Sequence, residues 1–384
     1  MDFELTKEQQ LLSEAVQRFV AKEYAPAARR AILESRDGFS REVWSKLAEL
    51  GLLALQVPED HGGMGRATIE TMLTMNAVGR GLLLEPYLQS AILATSLIAD
   101  LGSPAQKEEL LPAMAAGERI VVPSHGEPSA RDELARVATT ATRSGDAVVL
   151  NGRKGFVVHA SSADALLVSA RTSGDPDDGR GISLFIVPRA AAGVSLQTYR
   201  TLDGQRASEV TLREVRVPAA ALLGHEGGAF EAISAAWDLG VAALCAEAVG
   251  ALQALLDSTV EYSKTRKQFG VPIGKFQALQ HRMVEMLIHV EQARSMSYLA
   301  AIRSMDSDVM ARGRAISAAK VLVGQACRRV GQEAVQLHGG MGMTDELSVG
   351  HYFKRLTAIE LSLGDTEHHL ERFVRSMAAQ EEIA

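Results

Sequence analysis

Apolar positions recur at helical spacing through the first third of the chain. Leu11, Leu12, Ala15, Phe19 and Val20 share one face of a helix that Thr6 and Gln9 open as a capping box. A second helix is predicted from Ser40, its cap, to Leu50, with Gly51 as the stop. VPEDHGGMG (57–65) is a glycine-rich loop, and two more apolar-patterned helices follow over about 67–100, parted by the proline of LEPY (84–87). From about 118 to 224 the period shortens. DAVVLNG, GFVVHA, DALLVSAR, ISLFIVPR and SEVTLREVRVP are β-branched runs with no helical pattern between them. Val210, Leu212, Val215 and Val217 alternate with one slip, and Asn151-Gly152 predicts a tight hairpin. Beyond about 226, Val241, Leu244, Cys245, Ala248, Val249, Leu252, Leu255 and Leu256 form one apolar stripe. Long helices are predicted there and over about 275–304 and 307–337, packed side by side as a bundle. The expected architecture is α+β and multidomain: helical over 1–117, an antiparallel β-barrel or sandwich over 118–224, and a four-helix bundle over 225–384.

Composition narrows the function classes. The chain has 384 residues, 47% hydrophobic and 23% charged, the balance of a globular protein. A net charge of -7 without a polybasic run argues against a nucleic-acid partner. Cys245 and Cys327 are the only cysteines and both fall in apolar helical patterns, so neither a disulfide framework nor a zinc site is indicated. MDFELTKEQQ lacks the charged-then-apolar order of a signal peptide, and charges interrupt every apolar run; the expectation is a cytoplasmic protein with no membrane span.

Four segments carry candidate chemistry. YSKTRKQFGVPIGKFQALQ (262–280) ends a long helix with Arg266, Gln268 and Phe269, breaks at Gly270 and Pro272, then presents Phe276 and Gln277. A cation, an amide and an aromatic face suit a dinucleotide's pyrophosphate and adenine; a solvated helix end with a core phenylalanine is the plainer alternative. QLHGGMGM (336–343) places three glycines in four positions, either a backbone surface for phosphate or a helix C-cap with a loop. HGEPSARD (125–132) reads as a turn opening the β region. Glu59, Asp60 and His61 in PEDHGGMG read as a structural loop, because adjacent residues rarely converge on one metal ion.

Those segments, in this order, resemble the acyl-CoA dehydrogenase family over nearly the whole chain. RKQFG…PI…FQ…Q and QLHGGMGM carry the resemblance most strongly, with FELTKEQQLLSEAVQRF and LAELGLLALQVPEDHGGMG before them. GRGLLLEPYL, ALCAEAVGAL and GDTEHH look like the small subunits of pimeloyl-CoA-type dehydrogenases, related to steroid side-chain enzymes that pair unlike subunits. The resemblance implies non-covalent FAD. Arg266, Gln268 and Phe269 would contact its adenine-diphosphate half in a neighbouring subunit, with Phe276 and Gln277 on the same path. Gln336, Leu337, Gly339 and Gly340 would cradle the pyrophosphate side, and Thr366 and His368 would lie near the flavin of their own subunit. It also implies the chemistry. A carboxylate removes the α proton of a CoA thioester, the β hydrogen leaves as hydride to the flavin, and electrons pass to an electron-transfer flavoprotein. A homo-oligomer, or a heterotetramer with an unlike family member, is the implied assembly.

The chain departs from the family pattern where the chemistry is centred. The usual Thr-Glu-Pro and Trp-Ile-Thr runs are here Gly126-Glu127-Pro128 and Phe156-Val157-Val158. The glutamate of the family's Tyr-Glu-Gly-Thr run falls on Leu363 or Gly364, and the second family address, on the long helix, falls on Gly240. Asp365 is then the expected base; its alternative role is to cap the helix EHHLERFVRSM. Trp237, Gly240, Ala242, Ala243, Ala246 and Ala248 leave room for a bulky acyl group or allow close helix packing.

Overall fold

The computed structural model describes residues 5–381. Its first elements are the helices α1 (Lys7–Glu23), α2 (Pro26–Glu34), α3 (Arg41–Glu49), α4 (Thr68–Gly81), α5 (Thr95–Leu101) and α6 (Pro104–Ala115). Thr6 and Gln9 exchange side-chain and backbone bonds as the capping box at α1, and the Ser40 hydroxyl accepts the Val43 amide at α3. Between Pro86 and α5 the chain takes a wide π-helical course over Tyr87–Ala94, with the Thr95 hydroxyl donating to the Ser90 carbonyl at 2.9 Å.

Eight strands follow: β1 (Val121–Ser124), β2 (Thr140–Ser144), β3 (Ala147–Val158), β4 (Ala165–Arg171), β5 (Ile182–Pro188), β6 (Val194–Arg200), β7 (Arg206–Pro218) and β8 (Leu222–Leu223). They form one sheet in the order β6-β7-β3-β2-β4-β5-β8, with β1 added alongside β4. The antiparallel pattern dominates, although β1 and β2 each pair β4 in parallel. The slip expected among the valines of β7 falls at Glu214, which has a left-handed backbone, φ 50°.

Asn151-Gly152 is not a hairpin turn. Both residues lie inside β3, at a register shift between Leu150 and Gly152. A Cβ at Gly152 would stand 2.4 Å from the Thr139 hydroxyl, so glycine is required there by close approach rather than by chain reversal. The hairpin joins β2 to β3 at Gly145-Asp146, with Ser144 paired to Ala147 and Gly145 at φ 64°.

The helices α7 (Phe230–Thr265), α8 (Gln277–Arg303), α9 (Val309–His338), α10 (Ser348–Leu361) and α11 (Thr366–Glu381) complete the fold, with a two-stranded turn, β9 (Lys267–Gln268) and β10 (Val271–Pro272), after α7. Contrary to the sequence expectation, α7 is long and apolar enough to cross a membrane, but most of its apolar stretch is buried within the protein. It is a core helix by that measure.

The chain forms two compact units: Met1–Arg30 with Thr68–Leu83 and Val241–Ala384, and Ala31–Ala67 with Leu84–Gly240. In the first unit α4 packs against both α1 and α8, and in the second the short turns after α3 pack against α6. In the first unit, α4 and α7 meet backbone to backbone. A Cβ at Gly79 would lie 1.8 Å from the Glu247 carbonyl oxygen, and one at Gly250 would lie 1.8 Å from that of Asn76. Small residues here serve helix contact. Nearby, Glu247 and Arg355 form a buried bidentate pair at 2.6 and 2.8 Å. In the second unit, Leu93, Leu97, Ile98, Leu111, Val121, Leu167, Leu184 and Ile233 belong to one buried cluster.

Candidate active site

The first unit brings two distant segments together. At the end of α7 the Tyr262 ring stacks on His338 at the end of α9, centroids 4.3 Å apart. His338 is structural: its Nδ1 pairs with the Ala334 carbonyl at 2.8 Å, and burial pushes its pKa down. Just beyond Tyr262 the chain displays Arg266, Gln268 and Phe269 to solvent, Phe269 at 92% exposure and φ 53°. Phe276 meets Phe269 edge to face at 6.0 Å, and Gln277 begins α8, also exposed. Just beyond His338, a Cβ at Gly339 or Gly340 would meet nothing within 4 Å, while Gln336 is exposed and Leu337 buried. Neither Phe269 nor Phe276 is a core residue, while Arg266 is solvated as the plainer sequence alternative has it.

The turn between α10 and α11 is fully engaged. Leu363 has a left-handed backbone, φ 55°, and Gly364 follows at φ 94°. The Leu363 carbonyl pairs with His369 Nε2 at 2.9 Å, and His369 Nδ1 pairs with the Ser317 hydroxyl at 3.2 Å. Burial pushes the His369 pKa down to about 3, so the ring is neutral and serves as one donor and one acceptor. Asp365 Oδ1 accepts the His368 amide at 2.8 Å: its carboxylate caps α11. Thr366 donates its hydroxyl to Glu360 Oε1 at 2.8 Å, and Glu360 also accepts from Arg328 at 3.2 Å. His368 packs edge to face with His369, centroids 5.2 Å apart.

The second unit holds a polar cluster that sequence reasoning missed. Lys154, fully buried in β3, donates to Glu127 at 2.7 Å, to Ser169 at 3.0 Å and to the His125 carbonyl at 3.1 Å. Glu127 also accepts the amides of Ala138 and Thr139, each at 2.9 Å. HGEP is therefore clamped from inside through the buried His125 and Glu127 side chains, while Gly126 and Pro128 are exposed. Burial pushes Lys154 down to about 8, opposed by Glu127, so the ammonium stays mostly charged at neutral pH. Burial alone would raise Glu127, but the Lys154 charge and its hydrogen bonds hold it below the usual carboxylate range. His125, pushed by burial to about 3, pairs with Ser169 and the Leu134 carbonyl, with Trp237 edge to face at 5.2 Å. The only sequence signal was a lysine at an inward position of a strand. Phe156, two residues on, has φ 52° and is 56% exposed.

These surfaces fit a dinucleotide flavin. The Gly339-Gly340 backbone is unshielded, and in the same unit cationic, amide and aromatic groups stand exposed at the end of α7. Among those residues no group of three His, Cys, Asp or Glu side chains is placed to hold a metal ion.

Family models for the acyl-CoA dehydrogenase N-terminal, middle and C-terminal domains match residues 6–118, 124–215 and 228–378. The chain belongs to the acyl-CoA dehydrogenase family, a family of oxidoreductases that uses FAD. It is 34% identical over 372 residues to the probable acyl-CoA dehydrogenase YngJ of Bacillus subtilis, covering 96% of this chain and 97% of the relative. Its fold matches an FAD-dependent dehydrogenase with a TM-score of 0.87 and 30% identity, covering 98% of this chain and all (100%) of the other. It also matches the ChsE4-ChsE5 complex of Mycobacterium tuberculosis, TM-score 0.87 and 28% identity, covering 98% and 99%.

Proposed function

We propose that the protein catalyses the α,β-dehydrogenation of an acyl-CoA thioester and passes the electrons to an electron-transfer flavoprotein. FAD, when bound, would supply the two-electron oxidant for the β hydrogen. Asp365 takes the α proton on its carboxylate. Arg266, Gln268, Phe269, Phe276 and Gln277 hold the adenine-diphosphate half of the FAD in a neighbouring subunit, and Gln336, Leu337, Gly339 and Gly340 offer it their side of the turn. Thr366 and His368 stand toward the flavin of their own subunit. The observation that carries this reading is the outward display of Arg266, Gln268 and Phe269 together with the open Gly339-Gly340 backbone. Purified protein should contain FAD, and an acyl-CoA should bleach it under anaerobic conditions. A protein that retains no flavin contradicts the proposal.

One observation favours a second reading. Leu363, Gly364 and Gly240 carry no carboxylate, and Asp365 is already committed to the cap of α11. The chain would then be one half of a heteromer, supplying FAD contacts while an unlike family member supplies the base. Co-expression with such a member should then raise turnover at least about tenfold over the protein alone, the scale on which one general base acts being larger still. Full turnover by the homo-oligomer eliminates this second reading.

A further inference from the structure

Lys320 of α9 is buried, yet its hydrogen bonds among the described residues go to backbone carbonyls rather than to a carboxylate. Its Nζ donates to the Glu360 carbonyl at 2.8 Å, in the last turn of α10, and to the Gly364 carbonyl at 2.6 Å, immediately before the cap of α11. The neighbouring carboxylate of Glu360 is spent on Thr366 and Arg328. Desolvation lowers the pKa of Lys320, so the position costs the fold something that an apolar side chain would not.

What the lysine provides is geometric. One ammonium carries three donors and spans both ends of the turn from Glu360 to Gly364. Between those ends Leu363 adopts a left-handed conformation, which a leucine enters only under outside constraint. Gly364 has no room for a side chain, since a Cβ would lie 2.6 Å from His368 and 2.8 Å from His369. On the α9 side, a Cβ at Gly324 would lie 2.6 Å from the Thr366 hydroxyl. The turn is therefore tightly constrained, and among the described residues Lys320 is the side chain that hydrogen-bonds to it at both ends.

We propose that Lys320 is a positioning residue, which fixes the Glu360–Gly364 turn and through it the placement of Asp365, Thr366 and His368. The proposal rests on the reading that those three residues face flavin and substrate. Lys320→Met removes both bonds while keeping the stem, and Val290→Ala, a buried position on α8 and so outside the turn and the helices that it joins, serves as the stability control. In Lys320→Met, hydrogen exchange at the amides of 363–369 should accelerate at least about tenfold while the middle of α9 keeps its protection. The rate of flavin reduction should fall at least about tenfold with KM and FAD content changing far less, because the turn is displaced and the cofactor contacts at 266–277 are not. Val290→Ala should lose stability without either effect. If Lys320→Met does not fold, Lys320→Gln, which keeps two N–H donors on a shorter, uncharged side chain, should show the same pattern at smaller amplitude. Exchange and rate indistinguishable from those of Val290→Ala would overturn the proposal. Should the wild-type protein reduce no thioester, the functional reading fails, and the exchange measurement still decides the role of Lys320.

Discussion

Asp365 has two roles under the proposed function: as cap it accepts the His368 amide, and as base it would accept a proton. One substitution separates them. Asparagine caps a helix about as well as aspartate, so Asp365→Asn should leave the melting temperature within about 2 °C of wild type while abolishing flavin reduction by acyl-CoA. Undiminished reduction would leave Asp365 a cap alone. Asp365→Ala should in addition lose about 1 kcal/mol by denaturant unfolding. His125 and His369 give a second prediction at this scale. Burial favours the neutral ring at both, with folded pKa values of about 3. The unfolded chain takes up protons near pH 6.5 that the folded protein refuses until about pH 3. Each ring therefore contributes stability that is present above pH 6.5 and lost toward pH 3, by up to about 1.4 kcal/mol per pH unit. Imidazole proton NMR should show neither ring titrating between pH 7.5 and 5.5; a midpoint near 6.5 for both would contradict the burial argument.

At the scale of elements, Gly79 and Gly250 decide how closely α4 and α7 approach. Gly→Ala in a helix ordinarily gains up to about 1 kcal/mol. Here the added methyl would meet a carbonyl oxygen at 1.8 Å, so either substitution should destabilise by about 3 kcal/mol, read by urea unfolding. A neutral effect would mean that the contact is looser than described. Most elements were legible in the sequence because their signals are local. Thr6 with Gln9 and Ser40 with Gly51 mark helix ends through bonds within four residues, and the slip among the valines of β7 is a property of one strand. The failures were non-local. Asn151-Gly152 has the dipeptide of a hairpin, but pairing to β2 and β7 carries the strand through it, and the need for glycine comes from Thr139. Lys320 gave no signal and Lys154 only its inward position in a strand, because a lysine's ordinary place is the surface; only tertiary structure supplies the partners that bury them. The proposed FAD segments stand out only through the family resemblance, because locally 266–269 also reads as a helix end and Gly339, at φ 60°, is the C-cap of α9.

For the whole molecule, the FAD contacts are predicted to hold more than the chain that carries them. A combined Arg266→Ala and Phe269→Ala variant should purify folded, since both side chains are exposed, but with FAD occupancy reduced at least about fivefold, judged from the ratio of visible to protein absorbance. Wild-type occupancy in that variant would remove both residues from the proposed cofactor site. The central claim is that this chain takes part in acyl-CoA oxidation with FAD, and the most direct measurement is the visible spectrum of the FAD-loaded protein during anaerobic titration with CoA thioesters, from short straight chains to steroid side chains. The account predicts loss of the oxidised flavin band with at least one thioester, and its persistence in Asp365→Asn. A band that survives every thioester, in the protein alone and in its complex with an unlike family member, would contradict it.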